Sequence, residues 1–103
     1  MFTHIVVLTL AESAELTAAD DIVAGLRALV GQVPGLLSAR TGQDLGLAAG
    51  NATLIGILEF ESEQAWRDYG THPAHKALIS EKIAPVLAGK AALQVAGFDE
   101  ATA

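Results

Sequence analysis

A chain of 103 residues predicts one domain, spanning 1–103, with a single modest core. Twelve acidic against six basic residues leave a net charge of −6, and there is no basic cluster, so nucleic acid and anionic membrane surfaces are excluded as partners. The absence of cysteine excludes disulfides, thiolate metal sites and a cysteine nucleophile.

The chain opens on "MFTHIVVLTLAESA", an apolar stretch with no Lys or Arg before it. A secretory signal carries that basic region, so the stretch reads as a strand and the protein as cytoplasmic. Thr3 to Leu10 is rich in β-branched residues and apolar on both alternating faces, with Val6, Leu8 and Leu10 on one and Ile5 and Val7 on the other. Thr17 offers an N-cap, and Asp20 three residues later approximates a capping box. Ile22, Leu26, Leu29, Val30 and Val33 then form one helical stripe, which Pro34-Gly35 stops. Leu36 to Leu45 is a second extended segment, and "GLAAGN" at 46–51 is a loop.

Thr53 to Phe60 is the third strand, again apolar on both faces. Ser62 caps a short helix holding Ala65, Trp66 and Tyr69, with Glu63 placed to favour its N-terminal dipole. Pro73 ends that helix and suits the first position of the next, which is striped by Leu78, Ile79, Ile83, Val86 and Leu87. Pro85 kinks or ends it near Ala84. Ala91 to Phe98 is the last strand, and "DEATA" is a frayed tail. The longest uncharged run, Leu45 to Leu58, has 14 residues broken by three glycines and an asparagine, against roughly 20 needed to cross a bilayer.

The order β-α-β-β-α-β, with its second helix in two pieces, is the ferredoxin-like α+β pattern: a four-stranded antiparallel sheet with helices on one face. Strands apolar on both faces beside a single helix layer leave one sheet face to cover. The same face of a second copy does so at no extra coding cost, which predicts a homodimer. Many of the apolar residues are alanine, so burial against a partner would also supplement a core poor in bulky side chains.

"YGTHPAH" at 69–75 gathers the only tyrosine and two of the three histidines. His72, just before Pro73, reads either as a helix-junction cap or as part of a site. His75 shares a helical face with Leu78 and Ile79. It is either a hydrogen-bonded core histidine or a general base facing a cavity between helix and sheet. Tyr69 is either a core residue or a phenol that hydrogen-bonds a carbonyl as it becomes an enolate. His4 heads the row of Val6, Leu8 and Leu10, at a strand end or in a cavity. Three histidines raise a zinc site, but Pro73 between His72 and His75 and the absence of helical i,i+4 spacing argue against metal. No nucleophile elbow, phosphate loop or dinucleotide fingerprint is present, and Asp44, Glu59, Glu61 and Glu63 form no evident carboxylate pair.

"THIVVLTL", "VPGLLSARTGQD" and above all "ILEFESEQAWRDYGTHPAH", with its H-P-x-H motif, resemble the stress-responsive α/β-barrel (Dabb) domain family over about residues 2 to 99. The resemblance implies a dimeric α+β barrel. Most members have no established activity. One plant member, olivetolic acid cyclase, closes a linear polyketide by aldol condensation, with a histidine as base and a tyrosine that positions and polarises the substrate. The positions matching its site are His75, Tyr69 and His4. What the resemblance implies is a polyketide-cyclase-like acid–base enzyme acting on a small aromatic or polyketide-like compound without metal or redox cofactor. The alternatives are a dimeric stress or small-ligand-binding protein without turnover, and a cofactor-free monooxygenase.

Overall fold

The computed structural model describes residues 1–103. Its elements are β1 (Phe2–Leu10), α1 (Ala18–Ala28), β2 (Leu36–Gln43), β3 (Leu54–Phe60), α2 (Glu63–Thr71), α3 (Pro73–Leu78) and β4 (Leu87–Val95). The strands form one sheet in the order β2-β3-β1-β4, and all pairs are antiparallel. This is the ferredoxin-like β-α-β-β-α-β arrangement that the alternation and helical stripes predict.

Strand alternation divides the sheet cleanly. Phe2, His4, Val6, Leu8 and Leu10 of β1 face the helices, as do Leu54, Leu58 and Phe60 of β3. Phe60, Leu8, Ile22 and Leu58 are fully buried and centre the core between sheet and helices. The opposite face carries Ile5 and Val7, with Ile57 paired to Ile5, Ile55 to Val7 and Leu93 to Ile5 across the ladders. No helix covers it, and Ile55 and Leu93 are 37% and 52% exposed.

Two glycines let the layers close. Gly35 has φ +81°, and a Cβ there would collide with Ala65 of α2. Gly25 of α1 lies against the Leu78 side chain, so the helix pair approaches without an intervening Cβ. That contact fixes where α3, and hence His75, sits over the sheet.

Four expectations need correction. Thr17 does cap α1 by position, but its side chain makes no capping bond, and Asp20 instead accepts from Gln43 Nε2 at 2.7 Å. Helix α1 ends at Ala28 rather than at Pro34. Gly31, at φ +92°, turns the chain, and Leu29 and Val33 reach the core from turns rather than from a helix. The second strand stops at Gln43, because Asp44 organises the loop by accepting from Gly46 N at 2.9 Å and Asn51 Nδ2 at 3.1 Å. The stripe from Leu78 onward is not one helix. After α3 a π-helical turn spans Ile79–Ile83 and a 3₁₀ turn Ala84–Val86, since Pro85 has no N–H to continue the ladder. The last strand therefore begins at Leu87, four residues before the expected start, and ends at Val95.

Candidate active site

The helix junction is built by its own sequence. Ser62 Oγ accepts from Ala65 N at 3.1 Å and starts α2. His72 closes α2, its N–H donating to the Tyr69 carbonyl at 3.1 Å, and also caps α3, its Nδ1 accepting from Ala74 N at 3.1 Å. Pro73 occupies the first turn of α3, where its missing N–H costs nothing. His72 thus joins two helices. The sharp turn brings His75 back beneath Tyr69, their ring centroids 3.9 Å apart and the planes inclined by 37°.

Tyr69 is buried, packs on Phe60 at 5.1 Å and reaches the His4 ring at 6.0 Å. His4 also lies 5.9 Å from Trp66. Its Nδ1 is 2.9 Å from Gln94 Nε2 on β4, its partner in the ladder. His4, Tyr69 and His75 line one cavity of about 410 Å³ between sheet and helices. That lies within the ~300–1,000 Å³ typical of small-molecule sites. Val6, Leu8, Ile79 and Ile83 supply much of its apolar wall.

Electrostatics keep the three groups neutral. Burial pushes the His75 imidazole below its ordinary value; the Gly70 carbonyl opposes this, and Lys90 and His72 reinforce it. Burial likewise lowers His4, helped by His75 and Lys90. Burial raises the Tyr69 phenol well above 10.0. At neutral pH the cavity therefore holds two unprotonated imidazoles and a phenol that keeps its proton. His75 Nδ1 is sealed from water with no hydrogen-bond partner in the chain, the one buried side-chain nitrogen or oxygen in that condition. Such an atom costs free energy in the folded chain.

Sequence reasoning missed Lys90 and Gln94 as site residues. Both face the helix layer from β4, opposite Leu8 and His4 respectively. Their signal was alternation within that strand: starting it at Ala91 left Lys90 outside, and Gln94, though inside, is marked only by its pairing with His4. Arg67 also lines the cavity, but its guanidinium is engaged, paired with Glu63 at 2.7 Å and 5.5 Å from the Trp66 ring centre. No three His, Cys, Asp or Glu side chains gather as a metal-ligand set.

The profile of the stress responsive A/B barrel domain, Dabb, matches residues 2–96. No curated protein sequence matches the chain. Among solved structures, a dimeric ferredoxin-like protein of unknown function from Thermobifida fusca is 31% identical, with a TM-score of 0.79 over 91% of this chain and 88% of that one. A Dabb family protein with a ferredoxin-like fold from Mesorhizobium loti is 15% identical, with a TM-score of 0.76 over 95% and 97% of the two chains. Hydroxynitrile lyase from Passiflora edulis is 20% identical, with a TM-score of 0.78 over 95% and 96%. The last two likenesses show a shared fold. With the profile spanning nearly all of a β-α-β-β-α-β chain that carries the H-P-x-H junction, this protein belongs to the stress responsive A/B barrel domain family.

Proposed function

We propose that the protein is an acid–base enzyme of aldol type, a polyketide cyclase or a related lyase, acting on a small aromatic or polyketide-like compound. The observation that carries this reading is the Tyr69–His75 ring pair at the cavity wall, an uncharged imidazole beside a phenol held protonated. His75 takes a proton from the carbon next to a carbonyl. The Tyr69 hydroxyl donates to that carbonyl oxygen as negative charge develops. The enolate carbon then attacks a second carbonyl, forming a carbon–carbon bond, and the proton held by His75 passes to the new alkoxide. Atoms balance with no oxidant or metal, and the reverse sequence cleaves the same bond. His4 lies on the same wall and, held by Gln94, orients the second polar end. The Passiflora edulis lyase lends support as an enzyme on this fold.

We also propose that the working unit is a homodimer formed through the uncovered sheet face. Support comes from the Ile5, Val7, Ile55, Ile57 and Leu93 patch and from the dimeric Thermobifida fusca relative.

The test is a panel of linear and cyclised β-polyketo compounds and aldols, followed by chromatography with wild type, His75→Ala, Tyr69→Phe and His72→Ala. Wild type and His72→Ala turn over a member of the panel. His75→Ala loses about 10²–10⁴-fold, the worth of a positioned base. Binding without turnover across the panel would instead identify a non-catalytic ligand carrier.

A further inference from the structure

The sheet face without helices carries two charges. Strand register sets Arg40 of β2 opposite Ile57 and Glu59 of β3 opposite Thr3, so both side chains point away from the helices, beside the Ile5 and Val7 row of β1. The other strand positions on that face hold only Thr, Ser, Gly, Ala, Val, Ile or Leu. Arg40 and Glu59 are diagonal neighbours on adjacent strands, about 7–8 Å apart. Yet they form no ion pair, and the chain's one ion pair is Arg67–Glu63. Glu59 Oε2 accepts from Thr3 Oγ1 at 2.9 Å, which draws the carboxylate toward β1 and away from β2. Arg40 is left exposed and unpaired.

We infer that Arg40 of one copy pairs with the partner's Glu59 across the homodimer, and that the two symmetric pairs fix its register and select a second copy over other partners. This rests on the homodimer reading of the same face and names what specifies it. One cation and one anion on an apolar face form a self-complementary surface. A two-fold axis lying between the two faces and crossing midway between these side chains carries Arg40 over the partner's Glu59. The same rotation brings the partner's Arg40 over Glu59, so one operation matches all four charges. A chain of another sequence would have to offer an acid and a base at the same diagonal offset. Glu59 Oε1 is free to accept from the guanidinium while Oε2 stays on Thr3. The isoleucines around the pair exclude water once the faces meet, and an unmatched charge buried there would oppose association.

The test is sedimentation equilibrium of the full chain, with circular dichroism as the check on folding. Arg40→Glu and Glu59→Arg, each alone, set like charges against each other in both contacts. Each is expected to raise the dissociation constant at least about 10²-fold. An equimolar mixture of the two is expected to form a heterodimer, because each variant offers the sign the other lacks. The double variant Arg40→Glu/Glu59→Arg is expected to regain the homodimer. Arg40→Gln, Glu59→Gln and their combination give a cycle that stands even if the reversed chains do not fold. Each single change is expected to weaken the dimer about tenfold or more, and the combination no more than the larger of the two. A wild-type dimer indifferent to these changes, or additive losses in the cycle, overturns the pairing and leaves the dimer standing. Folded reversals that mixing does not rescue also overturn it, since the contact would then lie within one chain. A wild-type monomer removes the homodimer reading and the pairing with it.

Discussion

The His75 ring is stabilised by its stack on Tyr69 but carries a sealed, unpartnered Nδ1. An aromatic stack is worth about 0.5–1.5 kcal/mol, and a buried unsatisfied polar atom costs about 1–3 kcal/mol. His75→Leu, which keeps the volume and removes the polar atom, is therefore expected to hold stability within about 1 kcal/mol of wild type or raise it. It should at the same time abolish turnover. Urea unfolding reads the first and product formation the second; a marked loss of stability would make His75 a structural histidine. The histidines also set a pH dependence. Burial holds His4 and His75 below 6.5 in the folded chain, while the unfolded chain takes up those protons at 6.5. From about pH 7 to about pH 5 the unfolded state thus binds more protons, and stability falls as pH falls. Urea midpoints across that range should decline in wild type and decline less in His75→Leu. The acid limb of kcat/KM should lie below pH 6.5; a limb at or above that value would mean that neither histidine is the base.

Among the elements, the α2–α3 junction decides the site. His72 satisfies both helices at once, its N–H donating to Tyr69 and its Nδ1 accepting from Ala74. Removing the side chain leaves the α3 N-terminus without its cap and should cost about 0.5–2 kcal/mol. His72→Ala is expected to melt below wild type, while His72→Asn, which supplies a capping oxygen, recovers most of the loss. Both should retain ligand binding, because His72 does not line the cavity. Loss of binding in His72→Asn at wild-type stability would place His72 in the site. The π turn after α3 matters in the same way. It delivers Ile79 and Ile83 to the cavity wall and hands the chain to β4 at Leu87, which sets the register that puts Gln94 opposite His4.

For the whole molecule, the uncovered sheet face is the dominant feature. An apolar strip across three central and edge strands, with Ile55 and Leu93 more than a third exposed, is costly in water for a chain of this size. Stable dimers bury at least about 1,200 Å² in total, and this face is the surface able to provide it. Sedimentation equilibrium at micromolar concentration should show a dimer. Ile57→Asp, which sets a charge in the centre of that face, should shift it to monomer. A wild-type chain that sediments as a monomer with native circular dichroism would rule the arrangement out.

Alternation and helical spacing are local properties, and they were enough to determine the element order, the sheet with helices on one face, and the Ser62 and Pro73 helix starts. His4 and His75 could also be placed on inward rows from periodicity, because side-chain direction follows from backbone repeat. Where the elements end was decided by tertiary contacts. Leu29 and Val33 complete the helical stripe but are buried from turns, and Leu87 completes the second stripe but begins a strand. A hydrophobic stripe records burial, and burial alone does not distinguish a helix from a turn packed on the same core. The missing members of the site were invisible for a related reason. Lys90 and Gln94 become site residues only through pairing with β1, a contact between the two ends of the chain. The neutrality of the histidines likewise comes from burial against residues remote in sequence. The sequence by itself placed His4 and His75 on inward-facing rows; only the folded sheet decided that they share one cavity with Tyr69, because desolvation and cross-strand register are properties of the assembled layers.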